Sequence, residues 1–119
     1  MKELNLDNTI VDTIINCISN KDINKLPNLD SAKELISLFN LCVDISDWII
    51  FDPSVVRGLT YYTGIVFEVV DKENKMRAIT GGGRYDNLVG TYSNTKLPMC
   101  GFGFGDCVIM DLLKLFWLV

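Results

Sequence analysis

Arg57-Gly58-Leu59-Thr60-Tyr61-Tyr62-Thr63-Gly64, running on through Ile65-Val66-Phe67-Glu68-Val69-Val70 and followed after a polar loop by Gly81-Gly82-Gly83-Arg84-Tyr85-Asp86, decides how this chain is read. From residue 59 to 70 the side chains alternate with a period of two, the pattern of a strand with one covered face. Asp71-Lys72-Glu73-Asn74-Lys75 has the chemistry of a hairpin loop, and Met76 to Thr80 is expected to return antiparallel. Two segments that combine a cation, tyrosine and glycine on neighbouring strands describe a floor for a small polar ligand.

Strand parity places Tyr61 and Tyr62 on opposite faces, so that one lines a pocket while the other packs in the core. Tyr62 then shares its face with Glu68, which turns a hydroxyl and an anion toward the ligand. Arg57 keeps its charge and offers five donors in a planar fork, a match for a carboxylate or phosphate. A salt bridge on an edge strand is the alternative for such an arginine. Gly81, Gly82 and Gly83 remove every side chain from one strand end, which lets ligand atoms touch backbone, and Arg84, Tyr85 and Asp86 follow where they can turn back over it. Gly101-x-Gly103-x-Gly105 bares one face of a third strand, Met99 to Phe104, for a flat group to stack on; a β-bulge or close helix packing is the alternative. The spacing is not a dinucleotide fingerprint, for it lacks the final G-x-x-G and a surrounding βαβ unit.

Upstream, Ile10, Val11, Ile14, Ile15 and Ile18 recur at helical spacing and predict a helix over 8–19 with one packed stripe. Ser31 with Glu34 reads as a capping box that opens a second helix, running to about Val43 with Leu35, Leu38, Phe39 and Cys42 inward. Trp48 to Phe51 reads as a short strand ended by Asp52-Pro53. Downstream, Tyr85 to Val89 reads as one or two helical turns, and Asp106 as the cap of a last helix through Leu118. That helix is apolar almost all round, so it expects cover on every face. The expectation is a piece of a larger protein, or an end buried on a partner.

A chain of 119 residues is long enough for one domain with its own core. Acids outnumber Lys and Arg by 15 to 11 and no basic cluster exceeds two residues, so the chain lacks the electrostatic footprint of a nucleic-acid binder. Cys17, Cys42, Cys100 and Cys107 form no C-x-x-C pair and there is no histidine, which argues for buried free thiols rather than a metal site. No apolar run reaches a membrane span and the start has no signal-peptide pattern, so a cytoplasmic protein is expected.

Taken in order, these motifs resemble the histidyl-tRNA synthetase family, a class II aminoacyl-tRNA synthetase family. DPSVVRGLTYYTGIVFE (52–68) is similar to its first histidine signature, commonly RGLDYY followed by VFE. GGGRYDNLV (81–89) resembles the second, and GFGFG (101–105) before a helix resembles the strand that opens class II motif 3. Order and spacing agree over residues 48–115.

The resemblance implies an α+β fold: an antiparallel β-sheet core preceded by two helices and closed by a C-terminal helix. Residues 1–47 would be the end of a helical insertion with its connecting helix, and 48–119 the C-terminal part of the catalytic core. It implies activation of histidine with ATP and Mg2+, transfer to tRNA(His), and a homodimer. Arg57 would grip the substrate carboxylate and the α-phosphate as charge develops. Tyr62 and Tyr85, with Tyr61 and Glu68, would hold histidine against a wall of Gly81, Gly82 and Gly83. Gly101, Gly103 and Gly105 would back the nucleotide.

Three departures accompany the resemblance. Thr60 stands where the signature usually has Asp, and Cys107 and Val108 stand where motif 3 usually has a Glu-Arg pair. Motifs 1 and 2 and an anticodon-binding domain have no counterpart in the chain, so this piece is expected to bind poorly and catalyse nothing. A synthetase-like regulatory paralogue, such as the subunit that supports ATP phosphoribosyltransferase or a pseudo-synthetase sensor, is the second expectation; intact Arg57, Tyr61 and Tyr62 argue against it.

Overall fold

The structure, a computed structural model, describes residues 7–73 and 75–116. The chain divides into two compact units, Met1–Ser54 and Val55–Val119. The first is helical. In it, α1 (Asn8–Ser19) starts where the sequence predicts, with the Asp7 carboxylate accepting from the Thr9 amide and hydroxyl. Its apolar stripe does not pack as expected: Ile10, Val11, Ile14, Ile15 and Ile18 all stay exposed, and Ala32 is the one buried hydrophobic residue described in this unit.

The helix α2 (Asp30–Leu41) begins one residue before the expected capping box. Leu29 stands at its cap without a side-chain bond, and Ser31 lies inside the first turn, where it cannot cap. Asp30 pairs instead with Lys33 at 3.1 Å. Val43–Trp48 is a 3-10 stretch bent at Ile45, and the strand expected at Trp48–Phe51 is absent. Ile49 is extended, yet the described part of this unit holds no strand to pair with it. Asp52 closes the turn at Pro53 by accepting from the Ser54 amide and hydroxyl, and Lys21 reaches its other oxygen at 2.7 Å. The lysine and then Ser54 hold that carboxyl well below the usual carboxylate range.

The second unit is a three-stranded antiparallel sheet in the order β1-β2-β3, with β1 Val66–Val69, β2 Thr80–Tyr85 and β3 Met99–Phe104. A short helix, α3 (Leu88–Tyr92), lies between β2 and β3, and α4 (Asp106–Leu115) follows. The strand expected over 59–70 is therefore four residues long. Pairing does continue from Thr63 and Ile65 to Arg84 through backbone bonds of 2.9 Å, and it stops where the Asp86 amide donates to the Thr63 hydroxyl instead of a carbonyl. The returning strand starts later than expected because the Asp71 carboxylate takes the amides of Lys75 and Met76 and holds the chain in its loop. Asn74 of that loop lies outside the described residues.

Ile79, the buried hydrophobic residue of this unit, stitches the sheet at its end. It donates to Val69 at 2.8 Å and accepts from Gly105 at 2.7 Å. Gly105, not Asp106, is the cap of α4, and the Asp106 carboxylate accepts from the Cys107 amide inside the first turn, where a negative charge suits the helix dipole. The expected continuation through Leu118 falls partly on residues outside those described. The cysteines are free but not buried: Cys17 and Cys42 are half-buried, Cys100 and Cys107 exposed. So little apolar surface is covered in either unit that an independent core, expected from the length, is not what organises this chain.

Candidate functional site

The register of the sheet builds one bare face. Glu68 lies opposite Gly81, Val66 opposite Gly83, Gly81 opposite Gly103, and Gly83 opposite Gly101. Because side chains alternate across a strand, these residues and Tyr85 share a face, while Gly82 points to the other with Phe67 and Phe102. The glycine triplet thus runs inside β2, not at a strand end, and only its outer two members pave the floor.

Three side chains lie over that floor. A β-carbon added at Gly81 would meet the Arg57 guanidinium; one at Gly83 would meet the Tyr62 ring at 2.9 Å, and one at Gly101 the Tyr85 hydroxyl at 2.9 Å. Gly103 has nothing within 4 Å, so this end of the floor is open. Gly105 has left the strand to cap α4.

Arg57 donates from Nη1 to Glu68 Oε1 at 2.7 Å, and both side chains are largely covered. This is the salt bridge that the sequence left as the alternative for Arg57, made across the floor itself. The Glu68 carboxylate raises the arginine's pKa further, so the guanidinium is a fixed cation. Its Nε is buried and has no acceptor among the described residues.

Tyr61 and Tyr62 do not part to opposite faces. Residues 60 and 61 form a turn rather than a pleated strand, and the two rings sit 4.6 Å apart. Tyr85 completes the cluster, 5.4 Å from Tyr61 with rings edge to face and 6.4 Å from Tyr62. The Tyr61 phenol is pushed above its ordinary range by its hydrogen bond to Tyr62, then by desolvation and the neighbouring phenols. Tyr62 nevertheless reaches the face of Glu68, as parity required, by folding over Gly83.

A clasp that the sequence reading missed holds this loop. The Thr63 hydroxyl donates to Asp86 Oδ2 at 3.0 Å and accepts from the Asp86 amide at 3.0 Å, and Arg84 Nε donates to Asp86 Oδ1 at 2.9 Å. Threonine and aspartate 23 positions apart leave no local signal. Thr63→Val removes both of these exposed bonds, so a small loss of stability is expected, read as a slightly lowered Tm with a weakened near-UV tyrosine signal. Arg84 first, then Thr63, holds the Asp86 carboxyl below its usual range. A depressed folded pKa adds stability above the unfolded value of about 4 and loses it as pH falls through the folded one. The difference between wild type and Thr63→Val should therefore shrink in acid.

A cation fixed over a glycine floor, in an antiparallel sheet followed by a helix, defines a class II aminoacyl-tRNA synthetase-like core. The chain superposes with a TM-score of 0.71 and 26% identity on the crystal structure of an ATP phosphoribosyltransferase regulatory subunit/histidyl-tRNA synthetase from Bacillus halodurans C, over 94% of this chain and 31% of that one. The family described as Histidyl-tRNA synthetase matches residues 1–105, and this chain belongs to it.

Among curated relatives, the chloroplastic/mitochondrial histidine–tRNA ligase of Arabidopsis thaliana is 48% identical over 111 residues, 87% of this chain and 23% of the relative. The histidine–tRNA ligase of Thermoplasma volcanium is 59% identical over 64 residues, 54% of this chain and 15% of the relative. The chain thus spans less than a quarter of the length of these relatives. No described helix is long and apolar enough to cross a membrane.

Proposed function

We propose that this chain supplies the histidine pocket and part of the nucleotide floor of a cytoplasmic, homodimeric histidine–tRNA ligase, which activates histidine with ATP and charges tRNA(His). The observation that carries the reading is the meeting of Arg57, Tyr62 and Tyr85 over Gly81, Gly83 and Gly101. Arg57 is a fixed cation with guanidinium donors beyond the one given to Glu68, the chemistry needed for an amino-acid carboxylate and an α-phosphate. The phenols of Tyr61, Tyr62 and Tyr85 provide donors and acceptors for an imidazole, and a pocket of this kind rejects amino acids that leave such groups unpaired. Gly103 leaves room for a flat base on the sheet.

Mg2+ enters as the companion of ATP. Bound with the nucleotide, it would offset phosphate charge.

The test is histidine-dependent ATP–pyrophosphate exchange by a full-length protein carrying this segment, with the 119-residue chain expected to be inactive. The likeness to the Bacillus halodurans ATP phosphoribosyltransferase regulatory subunit/histidyl-tRNA synthetase supports a second reading, as a regulatory subunit. Stimulation of ATP phosphoribosyltransferase without any exchange would establish that reading and end the first.

A further inference from the structure

We propose that Glu68 is a positioning residue for Arg57, a role that rests on the ligase reading of the same site. Gly81 and Glu68 face each other in register and together form a seat: the glycine leaves space for the guanidinium, and the carboxylate beside it takes Nη1 at 2.7 Å. Glu68 is the acidic partner that fixes this long arginine among the described residues, with the Tyr62 phenol as a weaker second contact. By engaging Nη1, Glu68 leaves free the buried Nε, which lies along the opposite edge of the planar fork. The guanidinium donors that Glu68 does not take remain for an incoming carboxylate or phosphate. Glu68 therefore acts on the substrate through Arg57, and its own carboxylate is not the group that holds histidine.

The chemistry predicts coupling. In the full-length protein, Glu68→Gln is expected to lower kcat for histidine-dependent exchange about tenfold, the loss of one well-placed charge-assisted bond. Placed in an Arg57→Ala background, the same substitution should change kcat by less than about twofold, because its only route to the reaction has been removed. Glu68→Asp, which keeps the charge on a shorter arm, should recover part of the rate. Equal losses in both backgrounds would mean that Glu68 touches the substrate itself, and would overturn the proposal.

A second measurement does not depend on activity. The sequence contains three arginines, Arg57, Arg77 and Arg84, so with isotope labelling confined to this segment of the full-length protein their side-chain Nε–H resonances are few enough to assign. The Arg57 signal should be distinct and slow to exchange in wild type, and should move to the position of a solvent-averaged arginine in Glu68→Gln. An unchanged signal would refute the seat even if the ligase reading holds. Absence of exchange activity in wild type with the signal shift intact would refute the ligase reading and leave the seat standing.

Discussion

Arg57→Ala in the full-length protein is expected to reduce histidine-dependent pyrophosphate exchange by about 1,000-fold while leaving Tm nearly unchanged. The size follows from the donors removed. Each charge-assisted bond contributes about 1.5–3 kcal/mol, and removing one fixed donor from a site of developing charge typically costs about 100–1,000-fold in rate. The fold should barely notice. Arg57 and Glu68 are each partly exposed, so their pair adds on the order of 1 kcal/mol, and its loss is offset by removing a buried Nε that has no acceptor. Exchange within about tenfold of wild type would show that Arg57 is a structural ion pair and nothing more.

Gly82→Ala is expected to have the opposite signature, a failure of the sheet. A β-carbon at Gly82 points away from the floor into the backbone of β3, against the Gly101 carbonyl and 2.7 Å from the Phe102 Cα. Backbone cannot swing aside as a side chain can, so β2 and β3 must separate. Overpacking of this kind costs about 1–3 kcal/mol, and the strained ladder bonds push the total to the upper end. For a domain of this size that lowers Tm by about 10 °C or more, measured by circular dichroism. One position earlier the outcome differs. Gly81→Ala meets the Arg57 guanidinium first and the Phe67 carbonyl at 3.0 Å, so it must break the Arg57–Glu68 pair; Tm should fall less than in Gly82→Ala while exchange falls about 100-fold. An unchanged Tm for Gly82→Ala would mean that the register described for β2 and β3 is wrong.

These paired outcomes also mark how far the sequence is legible. Two helices, a hairpin and a glycine-rich third strand can be read from it because hydrophobic period, turn residues and caps act within a few residues. Even there, boundaries slip where a side chain chooses another partner. Asp71 keeps its loop closed past the expected return, Leu29 displaces Ser31 from the cap, and Trp48 to Phe51 finds no strand to join. The candidate site residues are legible as a set, since cations, phenols and glycines are spaced for one floor. Their contacts are not. Alternation puts Tyr61 on the far face only if it extends through a stretch that in fact turns, and Thr63 goes unnoticed because its partner is far along the chain.

The order of motifs along the chain, and with it membership in the histidyl-tRNA synthetase family, belongs to the amino-acid sequence alone, since residue types at set spacings are local properties that need no partner. Only the tertiary structure decided that Glu68 holds Arg57, that Gly82 faces away from its two neighbours, and that three phenols gather on one side. Each depends on which strand lies alongside and in what register, and register is settled by bonds between residues many positions apart, such as Gly81 with Gly103 and Asp86 with Thr63.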